Sequence, residues 1–255
     1  MSATTHFAGD TAVLTGRSLT HILRSPDTII TTAVTPVALM LLFTYVFGGA
    51  IDTGQGSYID YMLPGILLIT IASGIAYTAY RLFLDMQGGI FERFQSMPIA
   101  RSSVLWAHVL TSLVANVISL VIVVGVGLLM GFRTGASVLD WLAVAGILIL
   151  FTLALTWIAV IAGLSAKTVD GASAFSYPLI FLPFISSAFV PTDTMPAPVA
   201  WFAENQPVTS IVNSLRSIFA GEPVGNDIWV ALAWCVGILI VAYIGAMAIY
   251  RKKIS

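Results

Sequence analysis

The sequence predicts an all-α integral membrane protein: six transmembrane helices, an N-terminal amphipathic interfacial helix, and short broken or re-entrant helices before the last span. Three observations lead there. Of 255 residues, 58% are hydrophobic and only 9% charged, far below the share of about 25% that keeps a globular domain in water. The charges also leave long uncharged runs between them, and an ionised group at the bilayer centre costs about 2.5 to 3.5 kcal/mol or more, so these runs mark hydrocarbon. Finally, each run (Thr28 to Ile51, Tyr61 to Tyr80, Ser102 to Phe132, Trp141 to Ala166, Gly171 to Thr192 and Ile228 to Tyr250) is long enough to cross a core of about 30 Å at about 1.5 Å per residue.

Taken in order, residues 1–27 form a cytoplasmic connecting segment and 28–255 the spanning domain. Over 5–25, Phe7, Val13, Leu14, Leu19, Ile22 and Leu23 share a helix with Arg17, His21 and Arg24, as in a helix lying on the lipid surface. Ser25-Pro26-Asp27 then breaks it. The alternative is a loosely ordered tail. The apolar cores of the spans fall near 29–49, 62–80, 104–131, 142–164, 173–190 and 228–250, the first being an uncleaved anchor. Nine Lys and Arg residues flank one side (Arg17, Arg24, Arg81, Arg93, Arg101, Lys167, Arg251, Lys252, Lys253) and two the other (Arg133, Arg216), which places both termini in the cytoplasm.

Two connections stand out. Residues 87–101, Gln-Gly-Gly-Ile-Phe-Glu-Arg-Phe-Gln-Ser-Met-Pro-Ile-Ala-Arg, have a glycine entry and a proline exit and show both signs of charge. They read as a short helix at the cytoplasmic surface, fit for a groove on a soluble partner. Between the fifth and sixth spans, Pro191, Pro196, Pro198 and Pro207 divide residues 191–221. From Pro207 the apolar residues Val208, Ile211, Val212, Leu215, Ile218 and Phe219 recur at helical spacing, opposite Thr209, Asn213, Arg216 and Ser217, and Gly221 closes the helix. At about 20 Å such a helix is too short to span. With Val199-Ala200-Trp201-Phe202 it makes a pair of external or re-entrant helices; the alternative is an external loop with one interfacial helix.

Much chemistry is missing. No phosphate-cradling Gly-x-x-x-x-Gly-Lys-Ser/Thr, His-Glu-x-x-His or Gly-x-Ser-x-Gly pattern occurs. The three histidines are dispersed, the lone Cys235 excludes an intrachain disulfide, and a net charge of -1 with scattered cations argues against nucleic acid. Every Asp and Glu falls outside the six expected spans, which counts against a proton-driven pump. An autonomous channel or ion-coupled carrier is the second function class, and an intramembrane enzyme the third. Within the spans, Phe43, Tyr45, Tyr77, Phe181 and Phe184 are candidates to line a path for an amphipathic substrate. Asn116 is either a substrate contact or a hydrogen bond to a neighbouring helix, and Gly127-x-x-x-Gly131 a place for two helices to approach.

At residues 87–101 the sequence resembles the type-2 ABC exporter permeases, in the branch of daunorubicin-resistance-like drug and lipid exporters. Gly89, Arg93, Pro98 and Arg101 match that family's Gly-x-x-x-Arg-x-x-x-x-Pro-x-x-Arg pattern, and the likeness extends from the N-terminal helix through the run at 41–49 to the broken helices. The resemblance implies a permease of the cell membrane that pairs with itself or a similar subunit and docks on two copies of a separate ABC ATPase. ATP and magnesium would sit on that partner, with no cofactor on this chain. Residues 87–101 would be the coupling helix, presenting Gly89, Phe91, Glu92, Arg93, Met97, Pro98 and Arg101 to the ATPase. The N-terminal helix would be a second contact, and the helices at 191–220 would close the outer end of a path for a drug, lipid or glycolipid.

Overall fold

The computed structural model describes residues 26–49, 57–88 and 103–254, with positions 9, 11, 15 and 16. The rest of the expected N-terminal helix, and residues 89–101, lie outside the described residues. The elements are α1 (Pro26–Leu42, extended by a π turn over Phe43–Phe47), α2 (Tyr58–Gln87), α3 (Ser103–Leu129), α4 (Val138–Ser165), α5 (Val169–Ala174), α6 (Ser176–Phe181, followed by a 3-10 turn over Leu182–Ile185), α7 (Ala197–Asn205), α8 (Pro207–Ala220) and α9 (Asp227–Ile254).

Helices α2, α3, α4 and α9 are long and apolar enough to cross a bilayer, and they occupy the expected second, third, fourth and sixth spans. The expected first span is one continuous helical run, Pro26–Leu42 with the π turn over Phe43–Phe47, whereas the fifth is a shorter run of helical pieces, Val169–Ile185. The fifth is in pieces because Pro178 and Pro183 each lack an N–H and crowd the carbonyl four residues back, interrupting the ladder near Phe175 and tightening it after Phe181. Both prolines are visible in the sequence, and hydropathy alone hides their effect.

α2 is the hub. It packs against α1, α3, α4, α5, α6 and α8, and Met62, Leu63, Ile66, Leu67, Ile69, Ile71 and Ile75 are fully buried. A helix apolar on all sides can be surrounded in this way. α9 lies at the periphery against α4 and α8 and leaves Trp229, Val241 and Ile244 exposed. Lipid tails are as apolar as leucine, so helix association in a bilayer depends on close fit rather than on water exclusion. Gly163 shows such a fit: a Cβ there would stand 2.8 Å from the Ala79 carbonyl oxygen, so α2 and α4 approach backbone to backbone. On the other side of α4, Trp157 meets Trp106 of α3 and Tyr243 of α9 edge to face at 5.2 and 4.8 Å.

The Gly127 and Gly131 pair works otherwise than expected. Gly127 packs on Leu63 and Met40, but Gly131 lies past the end of α3 with φ 107°, a turn residue rather than part of a helix seam. Local chemistry sets the next two boundaries. Ser137 and Asp140 cap α4 reciprocally: the Ser137 amide donates to Asp140 Oδ2 at 2.8 Å, and the Asp140 amide donates to Ser137 Oγ at 3.4 Å. α8 begins at Pro207 and ends at Gly221, whose φ of 71° suits a residue without Cβ.

Candidate functional site

Of the six side chains expected along a path, three meet. Phe43, on the π turn after α1, lies 6.3 Å from Phe184 between ring centroids, and Phe181 lies 6.2 Å from Phe184. The centre of the group is Phe189, which sequence reasoning passed over. It stacks on Phe43 and on Phe184, each at 4.9 Å, and Phe47 joins Phe43 at 5.5 Å. The helix break produces this wall: after the 3-10 turn the chain reverses over residues 186–189 and lays Phe189 beside Phe184. The wall is open at one edge, where Phe181 is 62% exposed; Tyr45, 69% exposed, makes none of these ring contacts. Stacked and tilted rings of this kind present faces and edges to a flat apolar molecule.

Tyr77 and Asn116 lie elsewhere. Tyr77, on α2, neighbours Tyr80 at 6.1 Å and carries the Arg81 guanidinium 5.9 Å from its ring centroid. Asn116 is buried in a polar seam between α2 and α3, donating from Nδ2 to the Ser112 carbonyl at 3.0 Å, while Thr78 donates to Ser112 Oγ at 2.7 Å. Its Oδ1 faces Gly74, where any Cβ would collide with it. Farther along the same two helices, His108 of α3 meets Asp85 of α2 at 3.1 Å. α2 reaches Gln87, beyond the expected end near residue 80, and therefore carries Asp85. The expected coupling residues Gly89, Phe91, Glu92, Arg93, Met97, Pro98 and Arg101 lie outside the described residues. Among the described residues, no group of three or more His, Cys, Asp or Glu side chains is arranged to hold a metal ion.

The densest polar cluster lies beside the aromatic wall, and its key residue is Arg216 of α8. Its Nε and Nη2 donate to the Tyr61 carbonyl at 3.3 and 3.2 Å, and Nη2 also donates to the Ser187 carbonyl at 2.8 Å. Nη1 donates to Asn213 Oδ1 at 3.2 Å, and the guanidinium carbon stands 3.7 Å from the Tyr61 ring centroid. Ser187 in turn donates from Oγ to Asn213 Oδ1 at 2.8 Å and from its amide to Thr209 Oγ1 at 3.3 Å. Gln206 reaches the Ile185 carbonyl at 3.3 Å, and Tyr58 donates to the Phe189 carbonyl at 3.2 Å. Burial lowers the Arg216 pKa from its ordinary value, opposed by Tyr61, but guanidinium stays protonated in proteins.

Sequence reasoning identified Thr209, Asn213, Arg216 and Ser217 as the polar face of α8 and left open whether the helix packs on protein, lines a wet cavity or lies at the outer interface. The structure turns that face into the protein. Its oxygens and donors satisfy the backbone groups that the broken helix leaves free over residues 185–189. The usable signal was the helix break itself: orphaned carbonyls near Pro183 call for donors, and a neighbouring short helix with polar residues can supply them.

Residues 10–220 match the family model described as ABC-2 type transporter. The chain is 29% identical over 253 residues to the daunorubicin resistance ABC transporter permease protein DrrB1 of Streptomyces coeruleorubidus, covering 95% of this chain and 88% of the relative. It is 25% identical over 250 residues to the probable doxorubicin resistance ABC transporter permease protein DrrC of Mycobacterium tuberculosis (strain CDC 1551 / Oshkosh), covering 96% and 90%. A putative transport permease, ycf38 of Cyanophora paradoxa, is 23% identical over 219 residues, covering 84% and 75%.

Proposed function

Because the chain belongs to the ABC-2 type transporter family and is a multi-pass permease subunit of an ABC exporter, we propose that it exports a hydrophobic or amphipathic molecule using ATP hydrolysed by a separate subunit. The observation that carries the substrate reading is the open aromatic wall of Phe43, Phe184, Phe189 and Phe181. Stacking faces suit a flat, largely apolar cargo of the kind that gives the drug-resistance relatives their names.

The wider arrangement follows the same reading. The chain crosses the cell membrane six times, with the helix at 26–47 and the broken segment at 169–190 completing the count and both termini in the cytoplasm, as the nine-to-two distribution of cations favours. Two permease subunits pair, and two ATPase subunits supply the hydrolysis for which this sequence has no phosphate loop. Residues 87–101 enter a cleft on the ATPase, with Glu92 and Arg93 at the contact, while the N-terminal helix lies along the inner leaflet. Closure of the ATPase pair binds one permease conformation better than the other and so shifts their populations. Helices α7 and α8 close the outer end of the path.

The test is reconstitution in lipid with its partner ABC ATPase subunit. Hydrolysis stimulated by a planar amphipathic drug, and drug export that needs both subunits, are the expected results. Phe184→Ala should raise the half-maximal drug concentration about tenfold or more with basal hydrolysis retained. Full-rate drug transport by the permease without any ATPase would overturn the proposal.

A further inference from the structure

We infer that Arg216 is a positioning residue of the transport cycle: its guanidinium bolts the turn that follows the broken helix to α2, and each cycle must release that bolt. The inference rests on the permease reading above.

Three parts of the chain converge on this one side chain. The Tyr61 carbonyl and ring belong to the start of α2, the Ser187 carbonyl to the turn after the break, and Asn213 to α8 itself. Other contacts bind this turn to α8 or to α2 singly: Thr209 accepts from the Ser187 amide, and Tyr58 donates to the Phe189 carbonyl. Arg216 holds both together. Its planar fork allows this, because two carbonyls at different angles can be met by separate N–H groups while the plane stacks on an aromatic ring.

The chemistry of the partners also matters. Among the described residues no carboxylate lies within ion-pair distance of Arg216, and its hydrogen-bond partners are neutral oxygens. Breaking an ion pair inside a protein strands two charges, whereas leaving neutral carbonyls strands one, the guanidinium, which is only part-buried and can pass to water or to other carbonyls. A guanidinium held by carbonyls is therefore a contact that can be made and broken repeatedly. The turn it holds carries Phe189, the centre of the aromatic wall, so release of the bolt lets the wall rearrange.

The test places a reporter in the turn. Ser186 is fully buried, so Ser186→Cys in a Cys235→Ala background, within the permease–ATPase complex in lipid nanodiscs, should react slowly with a polar maleimide. Adding Arg216→Met should speed labelling at least tenfold, and Arg216→Lys should fall between. In the parent the rate should change between nucleotide-free and vanadate-trapped complex; with Arg216→Met that dependence should vanish, a result that mere loosening of structure does not give. Equal labelling rates for the parent and a folded Arg216→Met protein, or a nucleotide dependence that survives the substitution, would overturn the inference. If Arg216→Met cannot be purified, Tyr61→Leu and Asn213→Ala each remove one anchor, and unchanged rates in both would overturn it equally. A parent complex with no substrate-stimulated hydrolysis would count against the permease reading, while the nucleotide-free comparison would still report on the bolt.

Discussion

Gly65→Ala places a methyl group where the broken helix meets α2. A Cβ at residue 65 would stand 2.6 Å from Ala188 Cβ and 3.4 Å from Phe189 Cζ. Non-bonded carbons prefer about 3.5 to 4.0 Å, so about 1 Å of overlap must be relieved. Ala188 has no rotatable side chain that could yield, so the 186–189 turn must move as a unit. Overpacking of this kind costs about 1 to 3 kcal/mol, while replacing a helical glycine by alanine returns up to about 1 kcal/mol. The single variant should therefore lose about 0 to 3 kcal/mol, a range that the clash alone does not fix. A double-mutant cycle isolates the clash. Ala188→Gly removes the methyl group that the new one strikes, so Gly65→Ala should be less harmful in that background by about 1 to 3 kcal/mol. Equilibrium unfolding of the permease in mixed micelles, followed by tryptophan fluorescence during a sodium dodecyl sulfate titration, measures all four corners. Additivity within about 0.5 kcal/mol would refute the contact, and with it the seating of the turn against α2.

Three further outcomes are expected. Gly163→Ala should cost about 1 to 3 kcal/mol in the same titration, without rescue by trimming the Ala79 side chain, because the obstacle is the Ala79 backbone carbonyl at 2.8 Å. Ser137→Ala removes the cap of α4 and should cost about 1 kcal/mol, with Ser137→Thr close to the parent. Charge reversal at Glu92 or Arg93 should leave membrane insertion intact but reduce export per ATP hydrolysed at least tenfold; drug flux and phosphate release measured on the same vesicles would show a constant ratio if these residues do not couple the subunits.

The comparison between sequence and structure is most instructive at α8 and at the fifth apolar segment. Helical periodicity from Pro207 to Phe219 predicts a helix there, and its bounds are Pro207–Ala220, because an imino acid at the first turn and a glycine at the exit act through local backbone geometry. The same periodicity left the surroundings open. A polar stripe shows that side chains need partners, without saying whether water or protein supplies them, and here Thr209, Asn213 and Arg216 find theirs in backbone oxygens and amides of other elements. At 173–190, hydropathy suggested one continuous span where Pro178 and Pro183 leave short pieces; an average over apolar residues cannot register two missing N–H groups. Phe43, Phe181 and Phe184 were legible as candidates through their type, but Phe189, which joins them, was not, since its place depends on a chain reversal and not on spacing.

By itself the sequence determined that long uncharged runs mark a multi-pass membrane protein, where α8 starts, and that no phosphate-cradling loop pattern occurs, all of them properties of a few neighbouring residues and the cost of burying their charge or breaking their backbone ladder. The tertiary structure alone decided that Gly65 faces Ala188, that Phe189 centres the aromatic wall, and that Arg216 binds the Ser187 and Tyr61 carbonyls. The physical reason is range. Tyr61 and Arg216 lie 155 residues apart, and a guanidinium will satisfy its donors with whichever oxygens packing brings within about 3 Å, a choice that the residues on either side of it do not encode.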